Sequence, residues 1–217
     1  GGDESMAPAV IHAADFLAPY TGNFLASLRK LSALCERHGF RFVWVFPDGA
    51  REIPWCAELV ATGQKVHFVS PKHVFECARS LARIVCEEEA ALVHTHFTQY
   101  DVPAWIGGQI ARLRGHNPRI VWNASSDFGH RMTLTRRIKN LVKYRLMGRS
   151  AHVIAVSEHT KSMMVEAGMA PPAIDVVPNG IDLERAQEKG RPRSEVLAYL
   201  NIDEGQRVAL MFGWHPT

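Results

Sequence analysis

The chain has 217 residues, 47% of them hydrophobic and 22% charged, with a formal net charge of +3. That balance excludes disordered and collagen-like chains and is long enough to bury a core without disulfides or metal. No run reaches the roughly 18 consecutive apolar residues of a membrane span, and no signal peptide is legible ahead of Pro8. Residues 1–7 read as a tag remnant or disordered N-terminus. Cys35, Cys56, Cys77 and Cys86 are scattered without a C-x-x-C pair, so reduced, mostly buried thiols are expected. The charge is uneven. Between Asp127 and Glu158 there is no acidic residue, while Arg131, Arg136, Arg137, Lys139, Lys143, Arg145 and Arg149 all fall there.

In chain order, strands are predicted at 9–13, 40–46, 66–69, 91–95, 120–122, 153–156, 174–177 and 208–212. Several are apolar at successive positions, the pattern of strands covered on both faces of a parallel sheet. Between them, helices are predicted at 23–37 with Gly39 as stop, from the Ser70-Pro71 N-cap to about 88, and at 102–113. Two more follow at 133–147 and at 158–167, the last with Ser157 as N-cap and Gly168 as stop. The segment 183–206 is polar and reads as an interdomain linker with a short helix at 194–200. Alternating strands and helices give an α/β fold, a Rossmann-like open parallel sheet with helices on both faces.

In such sheets ligands sit beyond the carboxyl ends of the strands. The first such loop ends Tyr20-Thr21-Gly22-Asn23 and opens a helix, where a glycine and free N–H groups suit either an anion or an ordinary turn. No G-x-G-x-x-G or P-loop is present. After the fourth strand, His94 and His96 point to one side; they read as a polar cleft, as packed histidines, or as a metal pair with Asp127 and His130 as further ligands. Asn123, Ser125, Asp127 and His130 fall in a polar loop that suits a polyhydroxyl ligand and equally suits a plain loop. The helix at 133–147 is amphipathic, with Arg136, Lys139 and Lys143 opposite its apolar stripe, a solvated face or a contact for anionic lipid or a phosphorylated acceptor. Nucleic acid is disfavoured, because no binding motif or interleaved aromatics accompany the charge.

Val153 to Ser157, the helix to Gly168, and Ile174-Asp175-Val176-Val177-Pro178-Asn179-Gly180-Ile181-Asp182 together resemble the segment closing the N-terminal domain of retaining GT-B glycosyltransferases of family 4. Ala91 to Phe97 resembles the fourth-strand motif of that family, Tyr20 to Phe24 its first loop, and Val208 to Trp214 the first strand of its second domain. The resemblance implies an N-terminal acceptor-side lobe at 8–182, the linker at 183–206, and the opening strand of a donor-binding domain at 207–217. It implies a nucleotide-sugar co-substrate, a glycan or lipid-linked acceptor, no metal in the cleft, and work at the cytoplasmic side of a membrane surface.

By the same resemblance, Gly22 and Asn23 approach the donor diphosphate. His96, Asn123, Ser125, Asp127, His130 and Ser157 line the acceptor side, while Asn179, Gly180 and Asp182 border the interdomain cleft. Two departures stand out: Gly22 lacks the second adjacent glycine, and Ala124-Ser125-Ser126 occupies the place of a histidine after the fifth strand, which leaves the catalytic residue unknown. The diphosphate-binding Arg and Lys of the family lie in its second domain, so this length of chain is expected to be inactive alone. Competing expectations are a non-catalytic module docking to a membrane or partner through the basic helix, and a metal-dependent hydrolase built on His94 and His96. An epimerase of the same architecture has no sequence feature in its favour.

Overall fold

The computed structural model describes residues 7–124, 141, 143–181, 183, 187 and 190–209. Seven parallel strands form one sheet: β1 (Ala9–Ala14), β2 (Arg41–Phe46), β3 (Lys65–Phe68), β4 (Ala90–His96), β5 (Arg119–Ala124), β6 (Ala151–Ala155) and β7 (Ile174–Val176), in the order β3-β2-β1-β4-β5-β6-β7. The chain winds from β1 outward to β3, returns to β4 beside β1, and then proceeds to β7. The topological switch point therefore lies between β1 and β4.

The expected α/β architecture is present, and β2 shows why it forms. Phe42, Trp44 and Phe46 face one side and Val43 and Val45 the other, and all five are buried. A strand with two apolar faces needs a layer on each. Helices α1 (Gly22–Arg37) and α2 (Pro54–Ala61) cover the first side, where Leu25, Leu28, Trp55 and Leu59 pack on β2. Helices α3 (Val74–Glu87), α4 (Asp101–Arg112) and α5 (Glu158–Glu166) contribute Leu81, Ile84, Ala104 and Met164 to the second, against Ile11, Val43, Val93, Trp122 and Val153. Burying a side chain of this size contributes roughly 1.5–3 kcal/mol.

Two expectations shift in detail. Ser70-Pro71 does not open α3; Ser70 Oγ accepts from the Lys72 amide at 3.4 Å within a turn, and the helix begins at Val74. The short helical turn at Asp48–Glu52 and helix α2 behind it fall where no element is predicted, although Pro54 stands at the first helical position of α2. Ser157 does cap α5, its Oγ accepting from the Thr160 amide at 3.1 Å. All four cysteines are free.

The chain divides into two compact units, Gly1–Gly180 and Ile181–Thr217. The second contains α6 (Arg193–Tyr199), and Arg193 donates to the Gln206 carbonyl at 3.1 Å. Of the strand expected at 208–212, Val208 is exposed and outside any strand, and 210–217 lie outside the described residues. Among the described residues, no helix is long and apolar enough to cross a membrane.

Candidate functional site

The carboxyl ends of β1, β4 and β5 form a rim whose floor is polar. Strand alternation and register decide which side chains meet there. His12 on β1 lies opposite His94 on β4, Ala14 opposite His96, and His96 opposite Asn123 on β5. His12, His94, His96 and Asn123 therefore share the sheet face covered by α1, while Thr95 points to the other. His12 Nδ1 and His96 Nε2 are 3.1 Å apart, and Asn123 Nδ2 is 3.3 Å from His96 Nδ1. Phe42 stacks on His12 at 4.1 Å between centroids, and Phe24 from α1 meets His96 edge-on at 5.3 Å.

This apolar shell keeps the imidazoles neutral. Burial holds His94 down at about 4, and burial reinforced by neighbouring imidazoles holds His12 and His96 well below the ordinary histidine range. His96, expected as a residue lining the acceptor side, is only 4% exposed. It reaches the rim through Asn123, which is half-buried. The same burial removes the hydrolase reading: His94 and His96 face the interior, where no substrate and activated water can meet between them.

Above this floor, Gly22 opens α1 at φ +53°, a left-handed conformation that side chains with a Cβ rarely adopt. Among the described residues no side chain caps the N-terminus of α1, and no acidic residue occupies its first turn, so its free N–H groups carry an uncompensated positive end. Across the switch point, Phe97 directly follows β4 at φ +69°, a strained position for a residue of its size. Phe16, Phe24 and Phe97 pack together there, with centroids 5.0–6.4 Å apart. Asn23 is exposed.

On the other face of β4, Thr95 Oγ1 donates to Asp101 Oδ1 and Lys143 Nζ to Asp101 Oδ2, each at 2.5 Å. Trp122 and Tyr144 rings stand 5.0 and 5.2 Å from the ammonium. Lys143, expected on the solvated basic face, is instead 13% exposed and committed to Asp101. Arg136 and Lys139 lie outside the described residues, as do Ser125, Asp127, His130 and Asp182. Ser157 Oγ is occupied in capping α5. Pro178 to Ile181 are exposed beyond the end of β7. Asn179 and Gly180 thus follow the same edge of the sheet, about 19 Å from β1 at four inter-strand spacings.

His12 and Lys143–Asp101 are the features that sequence reading missed. The one signal for His12 was a polar residue inside an otherwise apolar strand run.

A Rickettsia africae glycosyltransferase superposes with a TM-score of 0.65 at 11% identity, covering 93% of this chain and 51% of that one. Anabaena HepE in complex with UDP gives 0.63 at 17% identity, covering 89% and 50%. A UDP-GlcNAc 2-epimerase from Methanocaldococcus jannaschii gives 0.54 at 12%, covering 89% and 52%. The chain thus spans about half the length of these structures, and at such identities the likeness is one of fold. A stretch of 100 residues is 30% identical to the liver isozyme of primary amine oxidase from Bos taurus, covering 45% of this chain and 12% of that enzyme, too partial to show kinship. The family model of Glycosyltransferase Family 4 matches residues 26–185. That match runs through every strand from β2 to β7, and the chain belongs to Glycosyltransferase Family 4.

Proposed function

We propose that this chain is the N-terminal, acceptor-side lobe of a retaining glycosyltransferase that moves a sugar from a nucleotide-sugar donor to a glycan or lipid-linked acceptor. The observation that carries this reading is Gly22, held left-handed at the uncapped start of α1 and facing the switch point of a family 4 lobe. A departing diphosphate needs N–H donors or cations aimed at its developing charge, and a helix start with a glycine brings backbone N–H groups close. HepE, which shares the fold, has been solved with UDP and with UDP-glucose, which supports a nucleotide-sugar as co-substrate.

On this reading Gly22 and Asn23 serve the diphosphate side. Asn123, backed by His96, serves the acceptor side with Ser157 and the loop of Ser125, Asp127 and His130. Asn179, Gly180 and Asp182 border the cleft toward a second lobe. The protein works at the cytoplasmic face of a membrane, with Arg136 and Lys139 as lipid contacts; the engagement of Lys143 with Asp101 takes it out of that set.

Backbone amide NMR of the chain with UDP and UDP-glucose tests the donor side. Shifts are expected at Gly22 and Asn23, and Gly22→Val, which opposes the positive φ, should abolish them. Shifts elsewhere, or none at millimolar ligand, would overturn the assignment. The 217 residues alone are expected to turn over no sugar nucleotide, since the donor-gripping lobe is proposed to lie in further sequence; turnover by them would refute the division of labour.

A further inference from the structure

The histidine cluster at the switch point has a use that sugar transfer does not require. We propose that His12, His94 and His96 form a closed tri-histidine site for a d10 transition-metal ion, copper(I) or zinc(II), that ties β1 to β4 beneath the rim.

The spacing supports it. One nitrogen of each ring lies within 4.8 Å of the others, and His12 Nδ1 and His96 Nε2 already stand 3.1 Å apart. Nitrogen ligands of a tetrahedral ion with bonds of about 2.0–2.1 Å sit about 3.3 Å from one another. Two ligands are therefore at working distance, and the third lies within 4.8 Å of them.

The unpaired atoms support it independently. Among the described residues, His94 Nε2 and Asn123 Oδ1 are buried without a hydrogen-bond partner, an arrangement that proteins avoid unless something else meets those atoms; His12 Nε2 is also unpaired and stays so when Nδ1 is the ligand. If His96 ligates through Nε2, its proton sits on Nδ1. Turning the Asn123 amide over then gives that proton its acceptor in Oδ1 and leaves Nδ2 in the unpaired oxygen's former place; the amide becomes the outer support that metal-bound histidines usually have. His94 Nε2 gains a partner from the ion itself.

The donor set narrows the ion. Imidazoles alone suit copper and zinc and not magnesium, calcium or manganese. Among the described residues no carboxylate belongs to the cluster, and Phe24 and Phe42 wall it. A second positive charge would go unneutralised there, which favours monovalent copper over zinc. The three ligands are 2%, 8% and 4% exposed, so the site is structural and not hydrolytic.

The test loads the chelator-treated chain with copper(I) under reductant, or with zinc(II), against a competing chelator. Metal content is measured after desalting, and the coordination shell by X-ray absorption. The expected result is one copper per chain in a shell of three imidazole nitrogens, with weaker zinc and no manganese. His12→Phe, which keeps a ring on Phe42, should lower affinity at least tenfold, and Asn123→Ala by about 10–100-fold. His152→Gln, at an exposed pair with Asp175, should change nothing. Zinc without copper would keep the site and overturn the preference for a monovalent ion. Binding of neither metal, a sulfur-containing shell, or affinity unchanged in His12→Phe would overturn the proposal. Should His12→Phe fail to fold, the wild-type shell decides alone.

Discussion

Replacing Lys143 with methionine removes one charge of a buried pair and leaves the other in place. Asp101 is 3% exposed and is held by Thr95 and Lys143. Burial already pushes its carboxyl above the usual aspartate range, against the pull of the Lys143 ammonium and the Thr95 hydroxyl. Stranding such a carboxylate costs about 3–5 kcal/mol. Protonation caps that cost: from an unfolded value of 3.8, holding the acid neutral at pH 7 requires about 4 kcal/mol, and at pH 5 only about 1.6 kcal/mol. The sign follows from linkage. An acid whose folded pKa is raised favours the folded state below its unfolded value, and that contribution disappears as pH rises through the folded one. Lys143→Met lifts the folded value further, so the variant should lose about 3–4 kcal/mol at pH 7 and less than half of that at pH 5. Urea unfolding at both pH values reads this directly. Asp101→Asn in the same chain should recover most of the loss, as a double-mutant cycle would record. A loss under about 1 kcal/mol at pH 7, or equal losses at both pH values, would refute the buried-pair reasoning.

Other consequences are simpler to measure. Ser157→Ala deletes the cap of α5 and should cost about 1 kcal/mol in chemical denaturation; no loss would mean that the Oγ bond to Thr160 contributes little. A Cβ on Gly107 would come within 2.8 Å of the Ala78 carbonyl oxygen, whereas one on Gly108 would meet the Ile120 Cδ1 methyl at 2.9 Å. Backbone cannot yield as a side-chain tip can, so Gly107→Ala should lower stability by about 1–3 kcal/mol and Gly108→Ala by less; the reverse order in melting temperature would contradict this packing of α4 on α3. Burial pushes the Cys77 thiol up to about 12, so a thiol reagent at pH 8 should modify half-buried Cys35 and Cys86 well before Cys77, as peptide mass mapping would show.

Much of the sheet was legible because its strands are apolar on both faces. Phe42 to Phe46 and Val153 to Ala155 admit few other readings, and Ser157 announced its helix by type and place. Helix α2 was not legible, since eight residues behind a proline give too little periodicity to distinguish from loop. At the site, Gly22 stood out because its neighbours are turn formers and it opens a helix. Lys143 was misplaced for a physical reason. A lysine opposite an apolar stripe is normally solvated, and only the approach of Asp101, 42 residues earlier, turns it inward. His12 was missed because its meaning depends on register, which no local pattern encodes.

The end of β4 connects these observations. Its sequence Ala-Ala-Leu-Val-His-Thr-His changes from apolar to polar over the last three residues, yet all three are buried. Alternation sends His94 and His96 to the α1 side and Thr95 to the α4 side, so both faces of one strand end must satisfy polar groups away from water. The α4 side does so with an ion pair brought by Asp101 and Lys143. The α1 side does so only in part, through His12 and Asn123, and leaves nitrogens unpaired. A strand end needed only for packing would carry valine there at lower cost. On the proposed reading, polar burial on both faces, one residue before the strained Phe97 and beside the loop of Gly22, puts the functional burden on β4 at the switch point, where such a fold opens its crevice.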